Sequence, residues 1–322
     1  MLIAKFSRSI FTASLLAVSL AAHAEFPDRP ITLVNPFPNG GATDRVGRIF
    51  APKVSEILGQ AVIIESRPGA GSVIGNAYVA KARPDGYTLL ISQIGLASNA
   101  SLMKNLPYDA RKDFQPIAGM ADAPGLILAP TSAPFDTFQE FTAYAKANPG
   151  KVTYGTTGAG TWPDLGMASL AIEAHLPLTP VPYKGTSQVL PDLIAGRVDT
   201  MLVSYGSTEG LVKAGKLKIL ASTTKARAAE LPDVPTVAEL GYPDYRTSIW
   251  VGVVGPAGMP PEIVSKLEHA FMKAGSDPEV VKQLAASHIV PMAIDAKQLG
   301  DLQNAEIDKW AKVIKEAGIH VE

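Results

Sequence analysis

Pro36-Phe37-Pro38-Asn39-Gly40-Gly41-Ala42-Thr43-Asp44 is the stretch on which the fold turns. It follows the apolar run Ile31-Thr32-Leu33-Val34 and leads into a segment where Val46, Ile49, Phe50, Val54, Ile57 and Leu58 recur at spacings of three and four. That spacing marks one buried face of a helix. A strand therefore ends in a Pro/Gly loop that opens a helix. The first turn of a helix leaves backbone N–H groups without partners and carries partial positive charge, so it suits a carboxylate. Gly40 and Gly41 let the backbone approach a ligand with no Cβ in the way.

Working outward, strand-like runs alternate with helix-like segments, the pattern of an α/β protein. Strands are predicted at 31–34, 62–65, 88–92, 125–129, 152–155, 200–203, 219–223 and 250–254. Helices are predicted at 43–58, 72–82, 138–147, 162–175, 187–195, 209–214, 236–240, 261–275, 278–286 and 296–317. The last is amphipathic, with Leu299, Leu302, Ile307, Trp310 and Ile314 on one stripe. Two segments, 119–124 and 241–248, read as crossings between domains, the first just ahead of a fresh strand. The domain expectation is thus 25–122 with 246–322 as one discontinuous domain and 123–245 as the second. Two connecting strands would form a hinge, with a ligand cleft between the lobes.

The N-terminus reads as an export signal. Lys5 and Arg8 precede an apolar run over 10–20, and Ala22-His23-Ala24 gives the small-x-small pattern of a cleavage site. Cleavage after Ala24 leaves 298 of 322 residues, with 27 basic against 30 acidic side chains. No basic run or basic patch interleaved with aromatics is present, so nucleic acid is not an expected partner. The chain contains 0 Cys, which excludes disulfides, thiolate nucleophiles and Cys-based zinc sites. Export without disulfides means that the core alone must supply stability.

Several motifs then align with one family. They are Pro36–Asp44; Glu65-Ser66-Arg67-Pro68-Gly69-Ala70-Gly71 with Ile74-Gly75 beyond; Pro84-Asp85-Gly86-Tyr87-Thr88-Leu89-Leu90; and Tyr154-Gly155-Thr156-Thr157-Gly158-Ala159-Gly160-Thr161. Val181-Pro182-Tyr183-Lys184-Gly185, Leu231-Pro232-Asp233-Val234-Pro235-Thr236-Val237-Ala238-Glu239 and Gly255-Pro256-Ala257-Gly258-Met259-Pro260 follow in order. With these runs the chain resembles the Bug-type periplasmic solute-binding proteins, the receptors related to tripartite tricarboxylate transport. The resemblance implies a two-lobed α/β fold, a type II Venus flytrap that closes on a small carboxylate in the periplasm.

Carried over, the resemblance places Phe37, Gly40, Gly41 and Ala42 at one wall and Thr156, Thr157, Gly158, Gly160 and Thr161 at the other. Tyr183, Lys184 and Gly185 form a third contact loop, and Ser92 and Asn99 lie on a fourth. The residues themselves fit this assignment: three threonines offer hydroxyls, Gly158 and Gly160 are expected to expose N–H groups, and Pro163 suits a first helical turn. By composition alone, Lys184 reads as a solvated surface charge.

Two departures from the family pattern bear on the ligand. Many members carry Asp after the strand at 200–203, where this chain has Ser204 and Tyr205, which argues against an amino-acid ammonium group; Ser204 and Tyr205 are themselves counted among the expected ligand contacts. Relatives commonly carry His-Leu where this chain has Asp164-Leu165, and Asp164 can complement the helix start. Phe37, Tyr205 and Trp250 could line a flat pocket, although each also suits a core.

The expected function is capture of an aliphatic or aromatic dicarboxylate for uptake or sensing. The alternatives are an amino-acid receptor of the same fold and a secreted hydrolase. Against the hydrolase, His175, His269, His288 and His320 all fall outside the cleft loops, and no Gly-x-Ser-x-Gly or His-Glu-x-x-His run occurs. No catalysis and no cofactor are expected. The expected partners are membrane subunits of a tripartite transporter or a sensor, and the protein is expected to be a monomer.

Overall fold

The computed structural model describes residues 25–228 and 231–321. The signal peptide read at 1–24 lies outside the described residues.

The first lobe begins with β1 (Ile31–Asn35), α1 (Ala42–Leu58), β2 (Val62–Ser66), α2 (Val73–Ala80), β3 (Thr88–Ser92) and α3 (Ile94–Leu102). β1 pairs in parallel with β2 and β3, so α1 and α2 are crossover helices. Next comes β4 (Phe114–Pro130), a strand of 17 residues that belongs to both lobes. The second lobe continues with α4 (Phe138–Ala147), β5 (Thr153–Thr156), α5 (Trp162–Glu173), β6 (Thr179–Pro182), α6 (Thr186–Ile194), β7 (Thr200–Ser204), α7 (Glu209–Lys213) and β8 (Leu217–Ser222). The chain returns through β9 (Ser248–Pro256) to α8 (Pro261–Gly275), α9 (Pro278–Ala285), β10 (Val290–Pro291) and α10 (Ala296–Ala317).

The two lobes are two halves of one sheet, in the order β2-β1-β3-β9-β4-β7-β5-β6, with β8 and β10 also against β4. From Phe114 to Pro124, β4 runs antiparallel to β9; from Gly125 onward it lies antiparallel to β7 and β8. The segment 119–124 is therefore the middle of one continuous strand, not a linker ahead of a new one. Its residues are almost all buried, which removes the period-two alternation that marks a strand in sequence.

Three apolar clusters hold this frame. One lies under α1 and α8 and includes Leu33, Phe50, Ile91 and Phe271. A second lies within the second lobe, around Leu128, Val189 and Met201. The largest spans both lobes and includes Leu90, Phe141, Trp162, Trp250 and Trp310. α10 contributes Leu299, Trp310 and Ile314 to it and packs on both α3 and α5. At its N-terminus, Asp295 and Gln298 form a capping box that starts the helix abruptly.

The predicted helices at 138–147, 261–275 and 296–317 agree with α4, α8 and α10 to the residue. Residues 236–240 instead form a tight turn, in which Val237 N–H bonds the Ser222 carbonyl at 2.9 Å and Glu239 N–H bonds Thr236 Oγ1 at 3.1 Å. α3 is absent from the predicted helices: Ile94, Leu96, Ala97, Ser98 and Asn99 are buried on most sides, so no polar face supplies a helical period. β6 is absent from the predicted strands, because Pro180 and Pro182 argue against one; it survives as an edge strand paired only with β5 among the described residues.

Candidate ligand-binding cleft

The loop after β1 is shaped by an aspartate that closes its own opening motif. Gly40 has φ +87°, and its N–H donates to Asp44 Oδ2 at 2.9 Å. Asp44 is 4% exposed and receives Arg48 Nε at 3.0 Å. Burial pushes its carboxyl up, but the bonds from Arg48 and Gly40 outweigh this and hold it below the usual carboxylate range. Gly41 caps α1 with no side-chain bond, and its carbonyl accepts Arg45 N–H at 3.0 Å. The N–H groups of Ala42 and Thr43 find no acceptor among the described residues.

The loop after β5 repeats the construction in the other lobe. Gly160 has φ +72°, its N–H donates to Asp164 Oδ2 at 2.9 Å, and Thr161 caps α5 with no side-chain bond to the helix. Thr161 Oγ1 instead donates to the Gly158 carbonyl at 2.7 Å and accepts from Thr157 Oγ1 at 3.1 Å. Gly158 N–H donates to the buried Thr156 Oγ1 at 3.2 Å. The N–H groups expected to be exposed at Gly158 and Gly160 are thus taken up inside the loop. Those of Trp162 and Asp164, at the helix start, find no acceptor among the described residues. Gly-x-x-x-Asp in the loop that leads from a strand into a helix, at Gly40–Asp44 and Gly160–Asp164, is the sequence signal that could have found both locks.

Asp164 differs electrically from Asp44. No cation pairs with it among the described residues; Tyr154 hydroxyl and Gly160 N–H are its bonds, and burial pushes its carboxyl up. The Tyr154 hydroxyl is pushed up as well, by burial and by the neighbouring carboxyl.

α3 connects the two loops. A Cβ on Gly95 would lie 3.5 Å from Phe37 Cζ, so the half-buried Phe37 ring rests on the start of this helix. At its other end, Leu102 Cδ1 would lie 2.4 Å from a Cβ on Gly160, so the first lobe touches the Gly-rich loop of the second. Asn99 is 3% exposed and turned inward: its Nδ2 donates to the Gly71 carbonyl at 2.8 Å and to Ser72 Oγ at 3.2 Å. It supports a loop in which Ala70, Gly71 and Ser72 all have positive φ. Ser92, 1% exposed at the end of β3, has a hydroxyl with no partner among the described residues, as does Nδ2 of Asn35 at the end of β1. Both are polar groups at strand ends beside the first loop, and Asn35 is not among the residues expected from sequence.

The third loop is joined to the second through its backbone, with Tyr183 N–H on the Thr156 carbonyl at 3.0 Å. The Tyr183 side chain turns away to Asp192 Oδ2 at 2.7 Å. Lys184 is exposed, and its N–H bonds Gln188 Oε1 at 3.1 Å; Gly185 opens α6 with φ +156°. Ser204 pairs with Gly125 where β4 enters the second lobe, and its hydroxyl meets that of Ser207 at 3.0 Å. The Tyr205 ring lies against His288 at 4.5 Å between centroids, and His288 Nε2 meets Glu209 Oε2 at 3.1 Å. Trp250 is 2% exposed, and its Nε1 donates to Glu306 Oε2 at 3.3 Å, so it is a core residue.

No group of three or more potential metal-ligating side chains occurs among the described residues, and none of their helices is long and apolar enough to cross a membrane. Two lobes on a shared sheet, joined by β4 and β9 and each offering a glycine loop at a helix start, define the class of two-lobed periplasmic solute-binding proteins. The solved structure of the periplasmic binding protein BugD agrees: TM-score 0.77, 32% identity, covering 92% of this chain and 100% of that one. An R. palustris protein solved with adipate gives 0.80 at 34% identity over 92% and 99%, and MatC of Rhodopseudomonas palustris with bound malate gives 0.76 at 31% over 90% and 100%.

The chain belongs to the tripartite tricarboxylate transporter family of receptors, whose family model matches residues 46–319. It is also 38% identical over 292 residues to a protein encoded in the tcbD–tcbE intergenic region of Pseudomonas sp., spanning 90% of this chain and 87% of that one. This membership implies a periplasmic location, and the family and fold are those of non-enzymatic receptors.

Proposed function

We propose that this receptor captures an aliphatic dicarboxylate between its lobes. The observation that carries the reading is the repeated glycine loop, with the starts of α1 and α5 each holding backbone N–H groups that lack an acceptor among the described residues. Two such helix starts, one per lobe, suit the two ends of a dianion. The adipate and malate named with two of the solved relatives fit the same class. Trp250 is engaged in the core and the Tyr205 ring with His288, which favours an aliphatic over an aromatic ligand.

In this reading Phe37, Gly41, Ala42 and Ser92 face the ligand from the first lobe, and Thr157, Thr161 and the Tyr183–Gly185 backbone from the second. Gly40, Asn99, Thr156, Gly158 and Gly160 hold those loops in shape, and Ser204 sits at the hinge side. The lobes are 25–122 with 246–322, and 123–245. Export follows cleavage after Ala24, and the monomer delivers its ligand, unchanged, to membrane subunits of a tripartite transporter or to a sensor. Closure around the ligand alters the outer surface that such a partner reads.

A thermal-shift panel on protein unfolded and refolded to remove any bound ligand tests this. Adipate, malate and longer aliphatic dicarboxylates should raise the melting temperature, since a ligand at a hundred times its Kd stabilises by about 2.7 kcal/mol. A response to glutamate or aspartate alone would replace the proposal with an amino-acid receptor. Silence across all carboxylates would remove it.

A further inference from the structure

We propose that the second lobe carries a separate small-molecule site behind the Gly-rich loop, which takes a compact apolar molecule bearing a primary ammonium group. A cavity of about 440 Å³ opens there, between α5, β5, the edge strand β6 and the turn that follows α10. That volume lies in the range of small-molecule sites, which combine apolar walls with a few converging polar groups. Its walls are of this kind: Ala168, Ala171 and Ile172 from α5, Pro180 and Pro182 from β6, and Ile319 beyond α10. The alanines leave the depth, and the prolines remove backbone donors from that stretch of the edge strand.

The polar end of the cavity is formed by Asp164 and Tyr154, 5% and 4% exposed, with Thr156 beside them and the exposed His320 on the wall beyond α10. The Asp164 carboxylate accepts Gly160 N–H and the Tyr154 hydroxyl, which leaves part of its acceptor capacity open, since an ionised carboxylate has about four lone-pair sites. No lysine or arginine lines the cavity among the described residues. The carboxylate thus sits among largely apolar walls with no ion-pair partner among the described residues, a situation that a bound ammonium relieves and a bound carboxylate worsens. The ligand chemistry is therefore opposite to that of the cleft, although the two sites share one loop. Gly160 joins them, because its N–H is held by Asp164 and a Cβ on it would lie 2.4 Å from Leu102 Cδ1 of the first lobe.

Benzylamine is the probe, titrated into ¹⁵N-labelled protein and followed by amide shifts, with benzoate as the charge-reversed control. The expected result is saturable shifts at Ala168, Ala171 and Ile319 with benzylamine and none there with benzoate. Ala171→Trp fills the cavity from a partly exposed helix position, and Asp164→Asn removes the charge while keeping an oxygen for Gly160. Each should weaken benzylamine at least tenfold in protein whose melting curve remains cooperative, and either variant alone suffices if the other fails to fold. Absence of saturation at millimolar benzylamine would overturn the proposal. So would equal affinity in Asp164→Asn, or equivalent shifts with benzoate.

Discussion

Gly41 and Gly160 show why two glycines in similar loops have different tolerances. Gly41 has φ −75° and ψ 174°, and a Cβ there would meet nothing closer than the Pro38 carbonyl at 3.8 Å. Gly41→Leu should therefore melt close to the parent while losing dicarboxylate affinity by roughly tenfold or more, on the order of 1.4 kcal/mol, because the side chain enters the ligand's approach. Calorimetric titration beside a melting curve measures both, and an unchanged affinity would remove this loop from the site. Gly160 combines φ +72° with Leu102 Cδ1 only 2.4 Å from where a Cβ would sit, so any side chain there is strained.

Asp164 yields a pH prediction at the same scale. Its folded value lies above the ordinary 3.8, so the folded chain holds the proton more tightly than the unfolded one. Stability contributed by this group falls as pH rises from 3.8 through the folded value, and the cost is complete above it. Asp164→Asn should melt higher than the parent at neutral pH, with the gap closing as pH approaches 3.8. A constant gap across that window would show that the carboxyl is not the cause. Asp44 has the opposite sign: its contribution is present above 3.8 and is lost as pH falls through its depressed folded value.

At the scale of elements, α3 serves as a brace for the turn after β2, while its start supports the Phe37 ring of the first loop. Asn99 bonds the Gly71 carbonyl and Ser72 Oγ, Asn76 bonds Ser72 Oγ at 3.2 Å and Tyr108 hydroxyl at 2.9 Å, and together they hold a turn of positive-φ residues. Asn99→Ala removes the donor from the part-buried bond to the Gly71 carbonyl, and should cost about 0.5–1.5 kcal/mol in urea unfolding. A loss of no more than a few tenths of a kcal/mol, on the order of an ordinary surface substitution, would mean the turn keeps its shape without the brace. The strand-loop-helix units are legible in sequence because apolar spacing and Pro/Gly punctuation are local. α3 is not, because a helix buried on most sides loses the polar half of its period. The internal use of the Gly158 and Gly160 N–H groups is hidden as well, since composition shows which donors exist but not where they point.

For the molecule as a whole, β4 and β9 couple the lobes while α10 packs against both α3 and α5. Where β4 enters the second lobe, a Cβ on Gly125 would lie 2.5 Å from Thr223 Oγ1 and 2.6 Å from Trp162 Cζ2, so that lobe is packed against the end of the hinge without spare room. Relative motion is then a rotation about the two strands, and adipate should reduce the radius of gyration measured by small-angle scattering. An identical scattering curve with and without saturating adipate would rule out closure as the signal to a partner.

The sequence by itself determined the α/β class, the ordered motifs that carry the family and most element boundaries, because these rest on periodicity and on residues adjacent in the chain. It also excluded thiol chemistry, by composition. Tertiary structure decided that β4 runs unbroken through both lobes, that Trp250 and Asn99 face inward, that Tyr205 meets His288, and that Asp164 is buried beside Tyr154 without a cation among the described residues. Each of those depends on contacts between residues distant in the chain, and a side chain's direction and desolvation are set by such neighbours rather than by its own type.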